Sequence, residues 1–491
     1  MLTIVRALLG VLGTAALTAG APRVCSAAKP PALGPPVAVD SVLVLRGRVF
    51  DGTGRPALEH GVVVIRDGRV VAVGPAGKVQ VPGAARVIEV ATGTILPGLI
   101  DLHQHLRPQY AAWLLPAGIT TVRDANNTLD VLQQARAIRP FAPRILYSGP
   151  LLDGPDTFFR SLLGAYGTPD SVLTTLVRPA TAGPIREVMV LQAATPEQAR
   201  AAVDSLAAHG ATVVKLYEQL AWPVYQAAAA QARRRRLPVM TDLGMETTRG
   251  LSKAQVDARQ AMQAGVGSIE HASGYALAYQ RLGGDPTREP FDDRLLDQLA
   301  RETVRRRVAL VPTLSAFYAG IAPDSSRRIA ALPGGDRVPP PMVQFFEQQL
   351  QGFRRETVHK ASLADFHLAQ ALTRRIQQLG GLIGAGTDAP AGAYNLPGGG
   401  LHRELALLVE AGLTPAQALY AATGGAARIL RQPTLGTLQP GQVADVLVVE
   451  GNPTQDIRAT RAIRHVIQQG RVLPLTELIK QATTEEGSLP D

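Results

Sequence analysis

The chain has 491 residues, of which 46% are hydrophobic and 18% charged, a balance that suits a packed globular protein and excludes a disordered one. Its formal charge is +10, yet Lys and Arg are dense only at Arg233–Arg236, with no recognition module beside them, so nucleic acid is set aside as a partner. A single cysteine, Cys25, excludes an internal disulfide and leaves any metal to nitrogen and oxygen donors.

The chain begins MLTIVRALLGVLGTAALTAG: a basic residue, Arg6, then an apolar run too short for a comfortable membrane span. Small residues near Ala19-Gly20-Ala21 and Cys25-Ser26-Ala27 follow as cleavage candidates. Residues 1–28 are therefore expected to be a secretory signal peptide, and the protein to be exported, periplasmic or extracellular. A Pro-rich linker over 29–40 comes next, and no later segment has the apolar length of a transmembrane helix.

From residue 41 to 93, short β-branched runs such as Gly61-Val-Val-Val-Ile alternate with turn residues such as Asp67-Gly68. The pattern returns between 434 and 475, in Ala444-Asp-Val-Leu-Val-Val and His465-Val-Ile. The two stretches are predicted to form one small β-sandwich domain of antiparallel strands built from both ends of the chain, with 476–491 as a tail.

Between residues 94 and 433, apolar runs alternate with Ala-rich helical stretches, the signature of βα units and a parallel sheet. Eight runs stand out: 96–105, 118–124, 144–149, 211–217, 237–242, 266–271, 308–313 and 382–388. Eight is the closure number of a (β/α)₈ TIM barrel, whose catalytic groups gather at the C-terminal strand ends. Pro/Gly-rich loops after the third and seventh runs, 153–188 and 318–341, are candidate lids.

The first run ends Asp101-Leu-His103-Gln-His105. On a strand, residues two apart share a face, so both imidazoles can reach one metal ion, with two polar barrel residues as the equal alternative. Lys215, His271 and Asp388 end three other runs. Each has a plain reading: a lysine paired with a carboxylate, a hydrogen-bonded core histidine, a helix cap. In a chain of nine histidines, three at strand ends beside a Lys and an Asp are hard to ascribe to chance.

These residues bring a family into view. Pro97-Gly-Leu-Ile-Asp-Leu-His-Gln-His105, Gly118-Ile-Thr-Thr-Val-Arg-Asp124, Ser148-Gly-Pro-Leu-Leu-Asp-Gly154, Ser268-Ile-Glu-His271, Gly386-Thr-Asp388, Leu401-His-Arg-Glu-Leu405 and Gly441-Gln-Val-Ala-Asp-Val-Leu-Val-Val resemble the amidohydrolase superfamily, especially its imidazolonepropionase-like and prolidase-like branches. The resemblance covers nearly all of the chain after the leader. It implies one or two divalent metal ions, zinc first among them, and a metal-activated hydroxide that attacks a carbonyl. By the same resemblance, His103 and His105 are ligands of the more buried metal and Lys215 is the lysine carboxylated to a bridging carbamate. His271 is a ligand of the more exposed metal, and Asp388 touches the metal and shuttles the proton.

The fifth run ends in Asp242, where the family usually carries histidine. A carboxylate is a legitimate donor for Zn²⁺ or Mn²⁺, so Asp242 either binds the second ion, accepts a hydrogen bond behind the ligands, or leaves one metal alone. Tyr217, on the face of Lys215, is a candidate for polarising a substrate carbonyl. His402 is a candidate substrate contact, with a capping or packing role as the plainer reading. Arg123 and Asp124 read as a structural pair; His209, His359, His367 and His465 read as non-catalytic.

The function expected is hydrolysis of a carbon–nitrogen (amide) bond in a small peptide or cyclic amide. The alternatives are lactone or ester hydrolysis on the same site, or a catalytically impaired ligand-binding barrel. A small-molecule or dipeptide substrate is the expected partner, with room for a homo-oligomer and no stable membrane insertion after leader cleavage.

Overall fold

The computed structural model describes residues 42–138, 141–165, 168–181 and 183–484. The expected signal peptide and linker lie outside them. No helix among the described residues is long and apolar enough to cross a membrane.

Both chain ends do contribute to one seven-stranded sheet. It comprises β1 (Leu43–Val49), β2 (Leu58–Arg66), β3 (Arg69–Pro75), β4 (Arg86–Pro97) and, from the far end, β15 (Val446–Glu450), β16 (Ile463–Gln468) and β17 (Arg471–Leu473), in the order β17-β16-β15-β4-β1-β2-β3. The turn joining β2 to β3 is Asp67-Gly68, with φ of 51° and 72°, and Gln469-Gly470 repeats it between β16 and β17 at 50° and 77°. Two successive positive φ values give the hairpin a twist that matches its strands, and Gly supplies the second at no steric cost. One expectation is corrected here: β1 runs parallel to β4, so the sheet is mixed. Edge strand β3 meets Gln442 and Ala444 through Val70 N–H to Gln442 O and Ala444 N–H to Gly68 O. The sheet thus curls round an apolar cluster that includes Leu45, Val63, Ile95, Val446 and Ile467.

The middle of the chain is α/β with parallel strands. A three-stranded sheet holds β5 (Leu99–Gln104), β6 (Ile119–Asp124) and β7 (Arg144–Tyr147). A seven-stranded one holds β8 (Leu151–Asp153), β9 (Val177–Pro179), β10 (Val190–Gln192), β11 (Val214–Leu216), β12 (Val239–Thr241), β13 (Ser268–Glu270) and β14 (Ala309–Val311), in the order β14-β13-β12-β11-β8-β10-β9. The third predicted run, 144–149, carries β7 only to Tyr147, and β8 follows after Gly149, which takes φ 69°. The eighth, 382–388, makes isolated parallel bridges, Ile383 to Leu310 on one side and Ala389 to Gln104 on the other. Glycine is required within it: a Cβ on Gly386 would stand 2.9 Å from His103 Cβ and 2.8 Å from Val311 Cγ1.

Helices follow the strands for local reasons. Thr195, Asp257 and Thr414 each accept a hydrogen bond from the backbone of a glutamine three residues on, whose side-chain oxygen accepts one from the cap residue's own N–H, a reciprocal cap that fixes the helix start. The helix Asp293–Arg306 turns Leu296, Leu299, Ala300 and Thr303 inward at 3.6-residue spacing. Burying either leucine stabilises by about 1.5–3 kcal/mol.

The expected lid loops are not coil. Residues 153–188 carry helices Phe158–Ala165 and Asp170–Leu176, whose apolar side chains pack with Tyr217. Residues 318–341 carry helix Pro323–Ser326 and a 3₁₀ turn at Gly335–Arg337. Residues 475–484, expected as part of a tail, form a helix whose Ala482 carbonyl accepts from Trp113 Nε1 at 3.1 Å.

Candidate metal centre

Six of the residues singled out in the sequence meet at the C-terminal ends of the parallel strands. His103 lies on β5 with His105 just beyond it, Lys215 lies on β11, and Asp242 and His271 follow β12 and β13 directly. Asp388 closes the 382–388 segment, its N–H donating to His103 O.

Asp388 Oδ1 lies 3.0 Å from His105 Nε2 and 3.3 Å from His103 Nε2. On the other side, Asp242 Oδ2 lies 3.4 Å from Lys215 Nζ and 3.3 Å from His271 Nε2. Lys215 Nζ, 3.4 Å from His103 Nε2, joins the two halves. Donor atoms of His103, His271 and Asp388 all lie within 4.8 Å of one another.

The backbone bends to achieve this. His271 and Asp388 both hold φ 60°, in the left-handed region that side chains other than glycine enter rarely. Each residue thereby leaves its strand direction and turns its side chain over the strand end.

All three imidazoles are oriented through Nδ1. That of His103 lies 2.8 Å from Glu270 Oε2, that of His105 3.4 Å from the Asn126 carbonyl, and that of His271 2.5 Å from Thr313 Oγ1. The Thr313 hydroxyl donates to Pro312 O at 2.8 Å, so it accepts from His271. With each Nδ1–H engaged outward, each Nε2 faces the cluster, the arrangement that fits a bound cation.

Electrostatics point the same way. Burial would raise the Asp388 carboxyl, but the charge of His271 and the close approach of His103 and His105 hold it well below the usual carboxylate range. Asp242 is likewise held down against its burial by His271 and Lys215. Burial, reinforced by Lys215 and His271, lowers His103 and keeps it neutral, whereas Asp242 and Asp388 overcome burial and raise His271. Two ionised carboxylates and neutral Nε2 donors are the ligand states that a divalent ion needs, and the proton on His271 is the one that it would displace.

Tyr217 is buried with its ring 5.4 Å from Lys215 Nζ and 5.4 Å from the Phe159 ring of the first helical insertion. Burial, then the charges of Asp242, Glu218, Asp153 and Asp388, push its hydroxyl well above the ordinary tyrosine range, so it remains a hydrogen-bond donor. Beyond it, Asp153 Oδ2 and Glu218 Oε1 are buried without a hydrogen-bond partner among the described residues.

Two expectations are corrected. His402 does not reach the cluster: its Nδ1 lies 2.9 Å from Thr460 Oγ1 and its Nε2 2.9 Å from the Ala117 carbonyl, so it ties a helix to the composite sheet's side of the molecule and serves packing. Arg123 does not pair with Asp124, because neighbours on a strand point to opposite faces. Arg123 instead grips Glu270 with Nη2 2.9 Å from both carboxylate oxygens, while Asp124 accepts from Leu106 N and Asn127 Nδ2.

Sequence reasoning assigned no role to Glu270, although Ser268 and Glu270, two apart inside a buried strand, demanded polar partners within the fold. Asp101 was also left without a role; it accepts from the N–H groups of His103 and Thr387 and from the Thr387 hydroxyl, fixing strand to segment behind the ligands. His209, His359 and His367 bond to Ser205 O, Gly320 O and Glu289, and His465 lies on β16, all outside the cluster.

The amidohydrolase family model matches residues 361–473. An ochratoxinase from Aspergillus niger is 33% identical over 135 residues, which is 26% of this chain and 26% of that protein, so the match spans about a quarter of that relative's length. An imidazolonepropionase from Anaeromyxobacter dehalogenans is 26% identical over 288 residues, 45% of this chain and 68% of that one. Among solved structures, a candidate prolidase from Bifidobacterium longum superposes with a TM-score of 0.63 at 25% identity, over 90% of this chain and 99% of that one.

Proposed function

We propose that the chain is an exported, metal-dependent hydrolase of the amidohydrolase type that cleaves the carbon–nitrogen bond of a small peptide or cyclic amide; the match of residues 361–473 to that family's model and the likeness to an imidazolonepropionase and a candidate prolidase support it. The observation that carries this reading is the convergence of His103, His105, Lys215, Asp242, His271 and Asp388 from separate strand ends into one buried cluster.

In this reading the parallel strands close a (β/α)₈ barrel over 94–433, with segment 382–388 as the eighth strand between β14 and β5. The curled mixed sheet of 41–93 and 434–475 is the small sandwich domain beside it. The apolar leader and small-residue cleavage candidates of 1–28 support export.

His103, His105 and Asp388 would hold the more buried ion; His271 and Asp242 would hold a second, with Lys215, carboxylated, between them. A carboxylate at Asp242, where the family usually carries histidine, favours an asymmetric pair of sites, zinc first among the candidates. A divalent ion there would supply Lewis acidity, polarising the scissile carbonyl and making water acidic near neutral pH.

The chain's own groups supply the rest. Asp388, ionised beside two histidine rings, accepts the proton of the attacking water. A carbon–oxygen bond forms, the carbon–nitrogen bond breaks, and the same proton passes to the leaving nitrogen. Tyr217 donates its phenolic hydrogen to an oxygen of the substrate and sets its orientation. Phe159 and the helices of 153–188 exclude water from that side.

A panel of dipeptides, hydantoin-like rings and lactones, assayed with Zn²⁺ or Mn²⁺, tests this reading. Amide hydrolysis that disappears on chelation and in His103→Asn supports it. Lactone turnover alone, or no turnover across the panel, overturns the amide assignment.

A further inference from the structure

Away from the strand-end cluster, three arginines from three different elements line one cavity of about 220 Å³. Arg403 belongs to the helix Gly399–Glu410, Arg461 ends the 3₁₀ helix Ile457–Arg461, and Arg328 follows the helix Pro323–Ser326. Tyr318 and Ser325 add hydroxyl groups to the same wall, and Glu410 stands at it too.

Positive charge is in excess there, three arginines standing against Glu410 alone in the lining. Arg403, only 7% exposed, donates to two carbonyls, Tyr394 O at 2.9 Å and Ser326 O at 3.3 Å, and its guanidinium lies 4.7 Å from the Tyr318 ring centre. None of these contacts neutralises it. Arg461 Nε is buried with no hydrogen-bond partner among the described residues. The nearby carboxylates form their ion pairs elsewhere, Asp324 with Arg327 and Arg354, Glu347 with Arg327 and Asp456 with Arg458, although the charge of Asp456 also reaches Arg461. Glu410 makes no ion pair or hydrogen bond with any of the three guanidinium groups among the described residues, and burial raises its carboxyl.

Three guanidinium groups face one cavity with a single carboxylate, and the buried Arg403 among them is the one whose charge an anion would best complete. Guanidinium forks match carboxylate and phosphate oxygens in pairs. The cavity is smaller than the roughly 300–1,000 Å³ of sites for drug-sized ligands. We infer that this cavity is a binding site for a small oxyanion carrying at least two negative charges, a phosphate or a short dicarboxylate, held by Arg328, Arg403 and Arg461. The anion bridges the insertion that follows β14 to the helix Gly399–Glu410 and so stabilises the folded state.

The experiment is calorimetric titration and thermal melting of the metal-loaded protein with inorganic phosphate or with succinate, at ionic strength matched by chloride. It is repeated on Arg461→Gln and Arg328→Gln, which spare the buried Arg403, and on chelator-stripped protein. The inference expects saturable binding, a melting temperature raised beyond the chloride control, and affinity weakened about tenfold or more in Arg461→Gln, with or without metal. Whether phosphate or succinate binds tighter names the source. No saturable binding, or affinity unchanged in both variants, as for an anion seated at the metal cluster, overturns it. The result is independent of the hydrolase reading, since neither arginine lies in the strand-end cluster.

Discussion

Glu270 Oε2 lies 2.8 Å from His103 Nδ1, and both groups are fully buried. Arg123 holds the carboxylate from its far side, and burial notwithstanding, this charge keeps Glu270 ionised with its pKa down at about 2. The carboxylate therefore takes the Nδ1 proton as a hydrogen-bond acceptor and leaves Nε2 with its lone pair toward Asp388 and Lys215.

If that orientation sets the ligand, Glu270→Gln weakens metal binding by about 10–100-fold. Competition against a chromophoric chelator measures it. An affinity within twofold of the parent protein contradicts this role.

The Lys215–Asp242 pair is buried, with side chains 1% and 7% exposed. In the metal-free protein, Asp242→Ala strands the ammonium without its carboxylate. The expected loss is about 3–5 kcal/mol in urea unfolding. A loss under about 1 kcal/mol shows that Lys215 is not held as the charged partner.

Glu404 is fully buried and accepts from Ser315 N at 2.8 Å; burial raises its pKa to about 8, from about 4.3 in an unfolded chain. The fold thus favours the protonated carboxyl. Its contribution is fully present below the unfolded value and is lost as pH rises through about 8. Glu404→Gln removes that loss, so the stability of the variant relative to the parent rises from pH 5 to 8, by at most about 1.4 kcal/mol per unit. A flat difference across that range contradicts the buried, protonated state.

Tyr217→Phe keeps the ring against Phe159 and removes only the hydroxyl. We expect kcat/KM to fall about 10²-fold on the dipeptide that the panel identifies, with the melting temperature nearly unchanged. Unchanged kcat/KM excludes the hydroxyl from substrate contact.

Much of this was legible before the fold was known. Period two put His103 and His105 on one face, and strand-end position flagged Lys215, Asp242, His271 and Asp388. What pattern reading missed depends on which face a residue takes once packed. His402 begins a helix like any capping candidate, yet it turns to Thr460 and Ala117. Arg123 sits beside Asp124 in the chain, but its partner Glu270 is 147 residues away. The short helices of 153–188 carry little periodic signal of their own; they form because Phe159, Leu163 and Leu173 pack against Tyr217 and its neighbours. The eighth run contains Gly384 and Gly386, which let it press against Leu102 and His103, and it bonds to Leu310 on one side and to Leu102 and His103 on the other.

The most direct test is metal content together with anomalous scattering from crystals of the protein grown with Zn²⁺. The account predicts at least one ion per chain, bound by Nε2 of His103 and His105 and by Asp388. Metal-replete protein with no ion there, or with an ion bound only elsewhere, contradicts it.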